Sequence, residues 1–134
     1  MREIVMIAHG NVEFEWVGNI LIYKLQGAFN EQGLMFLIKE RQEQLESKGF
    51  LNWLRVVYLY DDASMSQDLF KKSIELEKQS TSEGCSETLY VVPNDSLRRY
   101  RQHHEKIIGS SSTYCDSIEA AVAQLKKHTK FISD

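Results

Sequence analysis

Few residues of this chain stand at spacings that do chemistry, and each group points to a different kind. Nucleophilic catalysis needs a thiol or hydroxyl beside a positioned base. Cys85 and Cys115 belong to no C-x-x-C pair, and no G-x-S-x-G elbow occurs. Cys115 reads as packing on an inner strand, and Cys85, beside Gly84, as a thiol in a polar loop. His103 and His104 are adjacent. On a helix their side chains diverge by about 100°, so they do not share a metal as i, i+4 neighbours do. His104 falls on an apolar stripe, while His9 and His128 are isolated. No metal site and no cofactor is expected, and the scattered glycines form no phosphate-cradling loop.

Two richer groups remain. In open α/β sheets ligands gather outside the carboxyl ends of the parallel strands, which here collects Asp61, Asp62, Ser64, Ser66, Pro93, Asn94, Ser96 and Asp116 at one edge. The same residue types are helix caps and turn formers. Asp61 and Asp62 could serve as acid and base, but two adjacent acids without a second convergent group make an ordinary turn, so no enzyme is expected. The other group is basic: Arg98, Arg99, Arg101 and Lys106, with His103, on the outer face of one helix against Asp95 and Glu105. Flanked by Leu97, Tyr100 and Ile107, that face suits an acidic protein partner or an anionic lipid surface, or is simply a solvated face.

These residues need elements to hold them. Val12, Phe14 and Trp16 alternate with glutamates, a second alternating run begins at Ile20, and Gly18-Asn19 between them makes a hairpin turn. Asn30 can cap a helix carrying Leu34, Leu37, Ile38 and Leu45, which Lys48-Gly49 ends. Strands follow over 54–60 and 88–92, the second stopped by Pro93. Helices follow over 66–79 and from Asp95, the latter with an inner stripe of Leu97, Tyr100, His104, Ile107 and Ile108. A short strand at 113–115 leads to Asp116, which with Glu119 makes a capping pair for a last helix. The order β-β-α-β-α-β-α-β-α predicts a single α/β domain over 1–134. Its sheet should be mixed and mostly parallel, with helices mainly on one face and the first hairpin at the side.

Composition narrows the function. The 134 residues are 43% hydrophobic and carry a formal charge of -3. That is enough chain for a core without disulfide or metal, and too acidic for a strongly basic nucleic-acid binder. No apolar run approaches the roughly 18–20 residues that span a bilayer, and the piece at 1–7 is too short and broken for a secretory signal. A cytoplasmic location with free thiols, peripheral to the membrane at most, is the expectation.

The element order resembles the STAS domain, the fold shared by bacterial anti-sigma factor antagonists and the cytoplasmic tails of sulfate transporters. The resemblance runs over 12–125. It is carried by Leu25-Gln26-Gly27-Ala28-Phe29-Asn30, by the strand Val56 to Tyr60 with its acidic turn, and by Tyr114-Cys115-Asp116-Ser117-Ile118-Glu119-Ala120-Ala121. In the antagonists a phosphorylated serine or threonine lies in an Asp-Ser-Ser-Gly-like motif where the third strand meets the second helix. The matching stretch, Asp61 to Asp68, has Ser64 and Ser66 but lacks the Ser-Gly step, and its acids would repel a phosphate. Ser64 with Gln67 as a capping box is the expected role there. A related STAS-like branch without the phosphorylation motif is closer, and for it the resemblance implies a small-ligand or membrane-surface role. The expectation is a non-enzymatic regulatory or adaptor domain that binds a protein partner, with Asp61, Asp62, Ser64 and Ser66 as its docking loop. The alternative is a carrier or sensor of an apolar ligand, held between the sheet and the second and third helices and coupled to membrane contact. A second copy of the chain is a further candidate partner.

Overall fold

Strand and helix alternate as their periodicities require in the computed structural model, which describes residues 10–133, with side chains described through Lys127. The piece at 1–7, His9 and the side chain of His128 lie outside the described residues. Strands β1 (Asn11–Val17) and β2 (Ile20–Gln26) form the hairpin, antiparallel, with Val17 opposite Ile20. Gly18 takes a φ of +59° and, among the described residues, no non-glycine has a positive φ. Asn19 therefore uses ordinary backbone, the pattern of a turn with glycine in its first central position.

Three crossovers follow: α1 (Glu31–Lys48), β3 (Trp53–Leu59), α2 (Gln67–Ser82), β4 (Cys85–Val91), α3 (Asp95–Ile108), β5 (Thr113–Cys115) and α4 (Ile118–Ser133). Among the described residues the result is an α/β fold with one five-stranded mixed sheet in the order β1-β2-β3-β4-β5, parallel from β2 onward, and four helices. β2, β3 and the second half of β4 are covered on both faces, which is why apolar residues occupy both sets of alternating positions there.

One face carries Leu21, Tyr23, Leu25, Trp53, Val57, Leu59 and Tyr90 and packs against Leu34 and Leu37 of α1, Leu69 of α2 and Leu97 of α3. The other carries Ile20, Ile22, Leu54, Val56, Leu89 and Val91 beneath Ala121 and Leu125 of α4. Three helices thus share one face and one helix lies opposite.

The helix ends correct the sequence reading in detail. Asn30 caps α1 by accepting from the Gly33 N–H, as expected, and Gly49 closes it in the left-handed region. The cap of α2 is Ser66, which accepts from Leu69 N–H, and not Ser64. Asn94 rather than Asp95 caps α3, and Ser117 rather than Asp116 receives the Ala120 N–H at the start of α4. Each true cap sits immediately before the helix, where its side chain reaches the orphan N–H groups of the first turn.

Candidate functional site

The loops at the carboxyl ends of β2 and β3 are tied together. Gly27 N–H donates to Asp62 Oδ1 (3.1 Å), Ser64 N–H to Gly27 O (3.1 Å), and Phe29 N–H to Ser64 O (2.8 Å). The expected docking loop is thus engaged in architecture: Asp62 closes the β2 turn, the Ser64 backbone bridges to Ala28, and Ser66 caps α2. Asp61 and the Ser64 side chain are exposed. These residues do meet at one edge of the sheet, and no acid–base pair forms from them.

The basic face of α3 is divided. Arg99, His103 and Lys106 are exposed. Arg98 folds back, donating to Asp95 Oδ1 at 2.5 Å and to Val92 O at 3.3 Å. Arg101 turns inward, its guanidinium carbon 4.8 Å from the centre of the Phe70 ring and 4.7 Å from that of Tyr90. Of the residues expected on the inner stripe, Ile107 is exposed (57%) and Tyr100 stands at the rim, half exposed (48%) with its ring centre 4.3 Å from that of His104. The inward face of α3 consists of Leu97, Arg101, His104, Glu105 and Ile108, with the Glu105 carboxylate buried and accepting from the Ser112 hydroxyl and from Tyr114 Oη (3.0 Å).

The cysteines also exchange roles. Cys85 opens β4 inside the main core, its Sγ 3.7 Å from Glu87 O, while Cys115 is half-buried, its thiol pushed up by burial and by Asp116 and Glu87 nearby. β4 begins earlier than its apolar run, and that places Cys85 in a strand rather than a loop.

Beneath α1, α2 and α3 lies the feature that the rest of the molecule builds. An apolar mouth with a free volume of about 30 Å³ opens at the strand ends, between Leu25, Phe29, Leu59 and Met65 on one side and Phe70, Leu97 and Tyr100 on the other. Adjoining it, and sharing Leu25, Leu59, Met65 and Arg101, is an inner chamber of about 70 Å³ beneath α1 and α2. The chamber is walled by Leu34, Leu37, Val57 and Leu76, but also by Tyr23, Arg41, Arg55, Glu77 and Arg101.

Arg41 and Arg55 are each only 4% exposed and meet at Ser80, whose hydroxyl accepts from Arg41 Nη1 at 2.6 Å and from Arg55 Nη1 at 3.3 Å. Arg41 also pairs with Glu83 at 3.3 Å, and Arg55 donates to Thr88 Oγ1 at 3.0 Å. Among the described residues, four buried polar atoms on the walls of these two spaces make no well-formed hydrogen bond: Tyr23 Oη, Arg41 Nε, Arg101 Nε and His104 Nδ1. Burial holds the Tyr23 phenol above its ordinary range and pushes the half-buried Glu77 carboxyl up too, against the pull of Arg55 and Arg101. Among the described residues no three His, Cys, Asp or Glu side chains converge to hold a metal, and no helix is long and apolar enough to cross a membrane.

The sequence reading did not single out Arg41 or Arg55. The signal was there: Arg55 is the lone charge inside the apolar run Leu54 to Tyr60, and Arg41 stands four residues beyond Leu37 on the buried stripe of α1. A charge on a buried face is retained only where something compensates it.

One consequence is measurable in alkali. Burial, with the Glu105 charge and hydrogen bond and against the pull of Arg101, pushes the Tyr114 phenol from 10.0 up to about 12. A raised folded-state pKa means the stabilisation is complete below the unfolded value and is lost as pH rises through the folded one. Stability should therefore fall between pH 10 and about 12, by about 1–2 kcal/mol once partial exposure is allowed for. Tyr114→Phe should flatten that decline relative to the parent in pH-dependent urea melts; equal slopes would deny Tyr114 the role.

The chain matches no protein-family model and no curated protein.

Proposed function

We propose that this chain is a STAS-like binding domain that acts without bond-making chemistry, by holding a small, largely apolar ligand between its sheet and the helices α1 to α3 as a carrier or sensor. The observation that carries the reading is the apolar mouth and adjoining chamber beneath the helices, bordered by buried polar atoms that make no well-formed hydrogen bond. Concave sites lined mainly by apolar side chains, with a few convergent polar groups, are where small ligands bind.

The adaptor reading centred on Ser64 and Ser66 is weaker. Ser66 is engaged as a helix cap, which a phosphate would displace, and a phosphate on the exposed Ser64 hydroxyl would stand in a loop that already carries the acids Asp61 and Asp62. Membrane contact remains part of the proposal through the α3 surface, where exposed Tyr100 and Ile107 accompany Arg99 and Lys106.

The test is uptake of Nile red, a neutral apolar dye. Saturable uptake with a blue-shifted emission is expected, and Ala63→Leu, which fills the mouth beside Phe29 and Phe70, should abolish it while the circular dichroism is retained. Failure of the parent protein to take up the dye saturably, or unchanged uptake by a folded Ala63→Leu, sinks the reading. Sedimentation with anionic vesicles at two salt concentrations tests the membrane contribution. Each Arg or Lys near the surface adds about 1 kcal/mol, screened within about 10 Å at 0.1 M salt. Arg99→Glu with Lys106→Glu should therefore release the protein at low salt.

A further inference from the structure

We infer that the ligand is a single-chain amphiphile whose head is a carboxylate, seated in the inner chamber against Arg101, Arg55 and Tyr23, with its chain leaving through the apolar mouth. The inference rests on the ligand-binding reading above and names the chemistry of its occupant.

Four elements converge on the chamber: β2 brings Tyr23, α1 Arg41, β3 Arg55 and α3 Arg101. Their bonds are unequal. Arg41 is charge-matched by Glu83 and hydrogen-bonded to Ser80. Arg55 donates to neutral hydroxyls, those of Thr88 and Ser80, and its guanidinium lies 5.5 Å from the centre of the Tyr23 ring. Arg101 is clasped between the Phe70 and Tyr90 rings with its Nε buried and, among the described residues, unpartnered, and the Tyr23 hydroxyl, 3% exposed and close to the Arg41 and Arg55 guanidiniums, makes no well-formed hydrogen bond. A buried donor without an acceptor is costly, so these groups are preorganised for one.

The acceptor they fit is an anion. Guanidinium and phenol donors match the lone pairs of a carboxylate, which accepts from several at once. The lining is net positive, which favours an anion. With Arg41 matched to Glu83, the chamber wall holds Arg55 and Arg101 against the one carboxylate of Glu77, whose ionisation burial weakens.

About 70 Å³ admits a small planar head rather than a bulky one, while the mouth, about 30 Å³, admits only the first carbons of a chain, the rest of which would lie over its apolar rim of Phe29, Leu97 and Tyr100. Arg101 borders both spaces and so stands where head and chain would join.

The experiment compares decanoate with decanol, the same chain with and without the charge, by competition against Nile red on the full chain. Decanoate should bind about tenfold or more tightly than decanol, the difference that a charge-assisted bond supplies. Arg101→Gln should erase that preference, weakening decanoate about tenfold while decanol changes by less than about twofold. Tyr23→Phe removes only a hydroxyl that makes no well-formed hydrogen bond, so the protein should stay folded with an undiminished melting temperature, yet bind decanoate several-fold less well. Glu77→Gln, which removes the competing carboxylate, should tighten decanoate and leave decanol unmoved.

Equal binding of acid and alcohol by the parent protein overturns the carboxylate assignment while leaving a ligand site. So does an Arg101→Gln variant that loses both probes equally, since the arginine would then only shape the cavity. Absence of any uptake, of dye, acid or alcohol, would instead remove the ligand-binding reading on which the inference rests.

Discussion

Gly84→Ala should destabilise the fold by about 3 kcal/mol or more, enough to consume much of the stability of a domain this size. Gly84 links α2 to β4 with a φ of +107°, and a Cβ built there stands 2.1 Å from the Leu51 carbonyl oxygen and 3.2 Å from its carbon. The obstacle is backbone, which cannot rotate aside as a side chain would. Leu51 itself lies in the approach to β3, where the Gly84 carbonyl accepts from Trp53 N–H at 3.0 Å, so moving either strand entry breaks the parallel pairing at its first rung. Gly18→Ala makes the control: its φ is also positive, but nothing lies within 4 Å, and only the left-handed cost of about 1–2 kcal/mol applies. Urea midpoints should separate the two, and equal losses would show that conformation rather than collision governs Gly84.

Trp53→Ala should lose about 3–5 kcal/mol, the range for emptying a large buried aromatic. Trp53 has no exposed surface, its indole N–H donates to Glu83 O at 3.3 Å, and its ring lies 5.9 Å from the Arg55 guanidinium. The residue therefore fills the core, pins the end of α2 and walls one side of the buried arginine. Trp53→Phe should recover a good part of the volume term but not the hydrogen bond, placing its midpoint between parent and alanine variant. Combining Trp53→Ala with Gly84→Ala should cost less than the sum, because an added Cβ at Gly84 stands 3.5 Å from Trp53 Cδ1 and the emptied site lets the turn relax. Strict additivity would place the two in separate units.

Much of the architecture was legible in the sequence because binary pattern and turn chemistry agreed there. Gly18-Asn19 between two alternating runs could only be a hairpin, and Asn30 with Gly49 bracketed α1 at both ends. The inner stripe of α3 was legible at Leu97, His104 and Ile108 but not at Arg101 and Glu105, because a charged residue was assumed to face water. Arg101 and Glu105, four apart, turn inward instead, Arg101 between the Phe70 and Tyr90 rings and Glu105 onto Tyr114 Oη, while Ile107 takes the solvent face. The chamber was illegible for a related reason. Its polar walls come from residues far apart in the chain, Tyr23, Arg41, Arg55, Glu77 and Arg101, and their juxtaposition is a property of the sheet order, not of any local spacing.

That sheet order also sets how the molecule is assembled. Every strand pairs with the strand before it in the chain, so the sheet can grow by accretion from the hairpin, one crossover at a time, without waiting for a distant partner. A hairpin closes in about 1–10 μs, whereas each parallel rung must first enclose a helix, so β1 and β2 supply the template on which β3, β4 and β5 are laid in turn. The face bearing Ile20, Ile22, Leu54, Val56, Leu89 and Val91 is covered by α4, which leaves the ribosome after all five strands. During synthesis the nascent chain consequently carries a finished side and a bare, adhesive one, and its window of vulnerability to aggregation closes only when Ala121 and Leu125 have docked.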